Sequence, residues 1–120
     1  KNNNIFNKDV YAIGENLEYP IVLLRENLIK KGFTLDTLDI YSIDQYKKII
    51  FLDYPNLSKR ELQKLIHLGI ELYLIILESE LIYPKNFEKK NHVYFKKIFT
   101  WADDLVDNQK YFKLNLCIYL

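Results

Sequence analysis

Residues 72–77, LYLIIL, form an unbroken apolar run that stops at the acidic stretch Glu78-Ser79-Glu80. Six residues are too few to cross a bilayer, which takes about 20. No polar residue alternates with the apolar ones, so the run reads as a strand buried on both faces, the kind found inside parallel sheets. That reading constrains the whole chain. Parallel neighbours cannot be joined by tight hairpins, so strands must alternate with crossover segments, most of them helical.

The remaining pattern supplies such units. Ile49-Ile50-Phe51-Leu52 is a second buried strand, and Ile98-Phe99-Thr100-Trp101 a third. Leu35, Leu38 and Ile40 suggest a short strand over residues 34–40. Phe112, Leu114, Leu116 and Ile118 alternate with Lys113, Asn115, Cys117 and Tyr119, as in a partly exposed strand. Between them lie helices. One starts with Pro20 near its first position, where a fixed φ is tolerated, and ends at Gly32, a residue suited to a left-handed cap. Ile21, Leu24 and Leu28 form its apolar stripe. The next is framed by Ser58 and Glu61 as a reciprocal capping box, with Leu57 and Leu62 as the hydrophobic staple and Gly69 as its stop. Leu62, Leu65 and Ile66 are its expected buried face. Residues 85–95 read as partly helical, and residues 103–106 suit a single turn. The first 18 residues show no periodicity and read as a lead-in loop anchored by Ile5, Phe6, Val10 and Tyr11.

The expected architecture is α/β, a Rossmann-like parallel sheet flanked by helices, in one domain over residues 1–120. A hydrophobic content of 49% and a charged content of 28% fit one globular domain with a substantial core. Gly14, Gly32 and Gly69 are scattered, so the glycine-rich phosphate fingerprint of dinucleotide-binding folds is absent. Seventeen basic residues against sixteen acidic ones give a net charge of +1, too weak a field to attract nucleic acid. Cys117 stands alone, which rules out an internal disulfide and reads as a reduced core thiol in a reducing compartment. The amino-terminal KNNNIFNKDV has no signal-peptide core and no run is long enough to span a membrane, so a cytoplasmic protein is expected. A start at Lys1 and an apolar end at residues 116–120 suggest a fragment.

Several residues are candidates for chemistry. Glu78 sits at the carboxyl end of the organising strand, where open α/β sheets place their ligands, although strand exits also carry carboxylates for solvation alone. Asp53 holds the equivalent place after residues 49–52. Asp103, Asp104 and Asp107 could bind a metal, but carboxylates at a helical start more often cap amides, the reading favoured here. Tyr83, Phe87, Tyr94 and Trp101 could offer sugar-stacking faces or simply pack a core. His92 could hold a loop by hydrogen bonding or meet a substrate. His67 has no second ligand at zinc spacing and reads as structural.

The motifs from Glu78 onward resemble those of the α-1,3-fucosyltransferases, glycosyltransferase family ten, especially the bacterial members. The matching residues are Glu78-Ser79, Pro84, Asn91-His92, Tyr94-Phe95, Ile98-Phe99-Thr100-Trp101, Asp103-Asp104-Leu105-Val106-Asp107 and Lys110-Tyr111-Phe112. Glu80 departs from the family, standing where proline is usual, and Ala102 stands where asparagine is common. The resemblance implies a glycosyltransferase of two Rossmann-like domains, of which this chain matches the amino-terminal, acceptor-binding one. Its partners would be a glycan acceptor and a carboxy-terminal donor domain, missing here, that holds GDP-fucose. No cofactor and no metal are expected in this chain. Glu78 would be the catalytic base, with Ser79, Tyr83, His92 and Trp101 as substrate-binding residues. A cytoplasmic location is implied, with peripheral association at the inner membrane face as an accompanying option.

Two other classes compete. A response-regulator-type signalling module would use Asp53 as phosphate acceptor, but the acidic pair that holds magnesium after a first strand is absent, as is a later strand-end lysine. A non-catalytic Rossmann-like binding module that kept the family shape is the other, and Glu80 and Ala102 leave it open.

Overall fold

The computed structural model describes residues 15–114, with side chains described from Val22 onward. Chain contacts divide it into two units. The described residues up to Gln45 belong to one, and Tyr46–Asn115 form the other.

Helix α1 spans Glu15–Lys30. It begins upstream of the expected start, so Pro20 lies inside the helix and forfeits one backbone bond there. Its end is as the sequence suggests. Gly32 adopts φ 88°, its N–H donates to the Ile29 carbonyl at 3.0 Å, and the Phe33 N–H donates to the Leu28 carbonyl at 2.8 Å. This is a glycine-closed cap that satisfies carbonyls left over at the helix end. Val22 is buried and Leu28 half-buried, whereas Leu24 of the expected stripe is exposed; the Ile21 side chain lies outside the described ones. Arg25 is half-buried and pairs with Asp36 at 2.9 Å.

The strand expected over residues 34–40 is not formed. Asp36 and Asp39 suit a ladder poorly, and the Ile40 N–H turns back to the Thr37 carbonyl at 3.2 Å. A single 3₁₀ turn, Ile43–Gln45, follows.

Residues 46–114 build a four-stranded, wholly parallel sheet, as the apolar runs require. Its strands are β1 Lys48–Leu52, β2 Glu71–Ile75, β3 Lys97–Thr100 and β4 Tyr111–Lys113. Helix α2, Lys59–His67, connects β1 to β2. A 3₁₀ turn, Pro84–Phe87, and the short helix α3, Lys89–His92, connect β2 to β3. A 3₁₀ turn, Asp103–Leu105, precedes β4. The expected cap of α2 is present in full: the Glu61 N–H donates to Ser58 Oγ at 3.1 Å and the Ser58 N–H donates to Glu61 Oε2 at 3.2 Å. Gly69, φ 84°, closes that helix as Gly32 closes α1.

The sheet order is β1-β2-β3-β4, with no reversal. Crossovers of one hand that always advance in one direction must all fall on one face of a sheet. Burial follows this rule. Ile49, Leu72, Leu74, Ile76 and Ile98, all on one face, form the core with Leu62 of α2, Ile70, Tyr54 and Phe95. On the other face Ile50 and Leu52 are 38% and 39% exposed, and Tyr73, Ile75, Phe99 and Phe112 are half-buried. The expectation that the strands are buried on both faces is therefore corrected: β2 alternates between full and partial burial. An apolar residue on the more open face leaves the same sequence pattern as a buried one, so the run LYLIIL could not distinguish them.

Two further expectations shift. Ile66 of α2 is 42% exposed rather than buried, leaving Leu62 and the half-buried Leu65 as the packing contacts. Only Tyr111–Lys113 of the carboxy-terminal alternating segment is strand among the described residues. Cys117, and the anchors proposed at Ile5, Phe6, Val10 and Tyr11, lie outside the described residues. No helix among the described residues is long and apolar enough to cross a membrane.

Candidate functional site at the carboxyl edge of the sheet

Parallel strands bring their carboxyl ends to one edge, and three loops leave it here, after β1, β2 and β3. The loop after β1 turns at Asp53. Its N–H still belongs to the ladder, donating to the Ile75 carbonyl at 2.8 Å, but its backbone then enters the left-handed region at φ 64°. Aspartate tolerates that conformation better than most residues. The turn sends the Tyr54 ring into the core and leaves the Asp53 carboxylate facing the end of β2.

That carboxylate is heavily used. Asp53 Oδ1 accepts from the Leu77 N–H at 2.8 Å, the Glu78 N–H at 3.0 Å and the Asn86 side-chain amide at 2.8 Å. Asn86 is fully buried in the Pro84–Phe87 turn. Its Oδ1 accepts from the Tyr54 N–H at 2.7 Å, and its Nδ2 also reaches the Glu78 carbonyl at 3.3 Å. The two side chains thus tie the exits of β1 and β2 together and grip the Glu78 main chain at both its N–H and its carbonyl. The Glu78 side chain remains exposed.

The other sequence candidates surround this latch in different ways. The Ser79 carbonyl accepts from the N–H groups of Ile82 and Tyr83, at 3.1 and 2.8 Å, closing a tight turn. Beyond Glu78, Leu81 is 96% exposed at that turn. Tyr83 packs against the core, and its hydroxyl donates to the Tyr54 carbonyl at 2.6 Å. Trp101 leaves β3 with its ring partly exposed, and its indole N–H donates to the Leu77 carbonyl at 3.3 Å. Trp101 and Glu78 are therefore brought to one edge. Of the proposed aromatic platform, Tyr83, Phe87 and Tyr94 instead pack on the core.

His92 is buried, with both ring nitrogens engaged: Nε2 lies 2.6 Å from the Asn86 carbonyl and Nδ1 lies 3.0 Å from the Tyr111 hydroxyl. A carbonyl only accepts, so Nε2 carries the proton and the Tyr111 O–H donates to Nδ1. Burial lowers the His92 pKa, partly opposed by its bond to the Asn86 carbonyl, while Lys110 and Lys89 lower it further. The ring holds the Asn86 turn against the start of β4.

Asp103 and Asp104 do not cap their turn, whose first residue is preceded by Ala102 without a side-chain cap. Asp103 instead pairs with Lys113, which also donates to the Trp101 carbonyl at 2.9 Å. Asp107 does accept amides, from Gln109, Lys110 and Tyr111 at 2.9, 3.0 and 2.9 Å, but these belong to the turn into β4. The Gln109 bond, followed by those from Tyr111 and Lys110, lowers the Asp107 pKa. Among the described residues no group of three His, Cys, Asp or Glu side chains could hold a metal ion. His67 is exposed.

Asn86 is the residue that sequence reasoning missed. A lone asparagine after Pro84 reads as loop surface, and its pairing with Asp53 arises only when two distant loops meet. Asp53 was visible as a strand-exit acid, although what it binds was not. Comparison with protein-family models, curated proteins and solved structures gives no match. The fold itself defines the class: an α/β, Rossmann-like domain with a wholly parallel sheet.

Proposed function

We propose that this chain is the acceptor-binding half of an inverting fucosyltransferase, with Glu78 as the base. The observation that supports this most is the placement of an exposed carboxylate at the carboxyl edge of β2, on a main chain held by Asp53 and Asn86, where the resemblance to glycosyltransferase family ten puts its base. In this reading Glu78 takes the proton of an acceptor hydroxyl as that oxygen bonds to the anomeric carbon of fucose. The bond from that carbon to the diphosphate breaks, and GDP departs from the donor domain that the resemblance implies. Trp101, partly exposed on the same edge, offers a ring face to the sugar. The proposed setting is cytoplasmic, at or near the inner membrane face.

A carboxylate is a weak base toward a hydroxyl, so abstraction must be driven by a closed cleft and the departing diphosphate. Both come from the donor half, and the 120 residues alone are expected to transfer no fucose. In the protein carrying both halves, Glu78→Gln should lower transfer from GDP-fucose by about 10² to 10⁴, the range for loss of a general base. Glu80→Gln, two residues along, should change it little. Equal and small effects of the two substitutions would remove Glu78 from catalysis. Absence of transfer by the unsubstituted protein across a panel of glycan acceptors would leave the non-catalytic binding module.

A further inference from the structure

We propose that Asp53 and Asn86 are positioning residues for Glu78, a latch between two loops that sets where its carboxylate stands. This rests on the reading of Glu78 as the base. The geometry is specific to that residue. The ladder in this region ends with the Ile76 N–H, which donates to the Phe99 carbonyl at 2.9 Å. The next two amides, of Leu77 and Glu78, donate to a single oxygen of Asp53. The peptide group after Glu78 is held by the buried Asn86 amide. Both peptide planes around the Glu78 Cα are therefore fixed by side chains from elsewhere in the chain, while its own side chain projects into solvent.

The latch is itself braced. Asn86 Oδ1 holds the Tyr54 N–H, and its main-chain carbonyl receives the His92 Nε2–H, so the amide cannot rotate without breaking buried bonds. Leaving a buried polar group without a partner costs more than the hydrogen bond itself contributes. Asp53 adopts φ 64°, and from that left-handed turn its carboxylate reaches the amides that follow β2.

The left-handed backbone makes the test clean. Glycine adopts φ 64° without strain, so Asp53→Gly removes the carboxylate and leaves the turn. Asparagine tolerates it as well, and its carbonyl oxygen, with two lone pairs, can accept the Leu77 and Glu78 amides. In the protein carrying both halves, Asp53→Gly is expected to lower kcat by about 10²-fold, the effect of misplacing a reacting group by about an ångström, with KM little changed. Asp53→Asn should recover kcat to within about tenfold of the unsubstituted protein, since neutral hydrogen bonds replace charge-assisted ones. Hydrogen exchange gives a readout independent of turnover. The Leu77 and Glu78 amides should be protected in the unsubstituted protein and exchange at least about tenfold faster in Asp53→Gly, the equivalent of a lost hydrogen bond, while the Leu74 amide within β2 stays protected.

An unchanged kcat in Asp53→Gly would overturn the proposal. So would a fall in kcat with unchanged exchange at Leu77 and Glu78, because the loss would then not act through the held main chain. If the unsubstituted protein transfers no fucose, the transferase reading falls, and the exchange of the two amides still decides whether the latch holds the Glu78 main chain. If Asp53→Gly does not fold, exchange in the unsubstituted protein decides: protection at Leu77 and Glu78 supports the latch, and rapid exchange refutes it.

Discussion

His92 sits between an acceptor, the Asn86 carbonyl, and a hydroxyl that donates to it from Tyr111. A second proton on the ring would turn both nitrogens into donors and force that hydroxyl to reverse. Burial opposes the charge first, and Lys110 and Lys89 add to it. The folded pKa is therefore below the ordinary value of 6.5. The unfolded chain takes up a proton as pH falls through that value while the folded chain does not, so stability rises with pH across this window and is fully present above it. Urea unfolding followed from pH 7.5 down to pH 5 should show a falling midpoint, with the loss levelling off below the folded pKa. His92→Gln should flatten this segment of the profile whatever its effect on absolute stability. Carboxylates such as Asp107, whose pKa is lowered by backbone N–H groups, act in a different window: their stabilisation is present above the ordinary carboxylate pKa and is lost as pH falls below it.

Helix α2 is closed at both ends by devices that act independently of what it packs on. Ser58→Ala removes the acceptor for the Glu61 N–H and should lower unfolding free energy by about 1 kcal/mol, measured by chemical denaturation. Gly69 stands in open space, with nothing within 4 Å of where a Cβ would sit. Its positive φ is the whole obstacle to substitution, so Gly69→Ala should destabilise by about 1 kcal/mol through backbone strain alone. A loss of several kcal/mol would point instead to packing at that site. These ends were legible in the sequence because a cap is a local agreement between residues a few positions apart. Pro20 was a weaker guide. A proline fits the first turn best, but α1 runs through it from Glu15 and gives up one hydrogen bond to do so.

Across residues 46–114 the two faces of the sheet, one fully and one partly buried, divide mutational sensitivity. Leu74, fully buried against Phe51 and Ile98 in the core, should cost about 2–5 kcal/mol when replaced by alanine. Ile50, 38% exposed on the opposite face, should cost clearly less, about 1–2 kcal/mol, because part of its surface is wet already. Equal losses measured by urea denaturation would show that both faces are tightly covered. The sequence alone determined the parallel α/β character, the strands at residues 49–52, 72–77 and 98–101 to within a residue or two, the α2 cap and the edge position of Glu78. Each depends on runs, periods or spacings of neighbouring residues. Tertiary structure decided the rest. The absent strand at residues 34–40 depended on where its backbone bonds found partners, and the one-sided burial depended on strand order. The union of Asp53 with Asn86, 33 residues apart, and the enclosure of His92 between Asn86 and Tyr111 depended on segments distant in the sequence meeting in the folded chain. A polar residue in a loop has the same local signature whether it faces water or a buried partner, and only the folded chain supplies the partner.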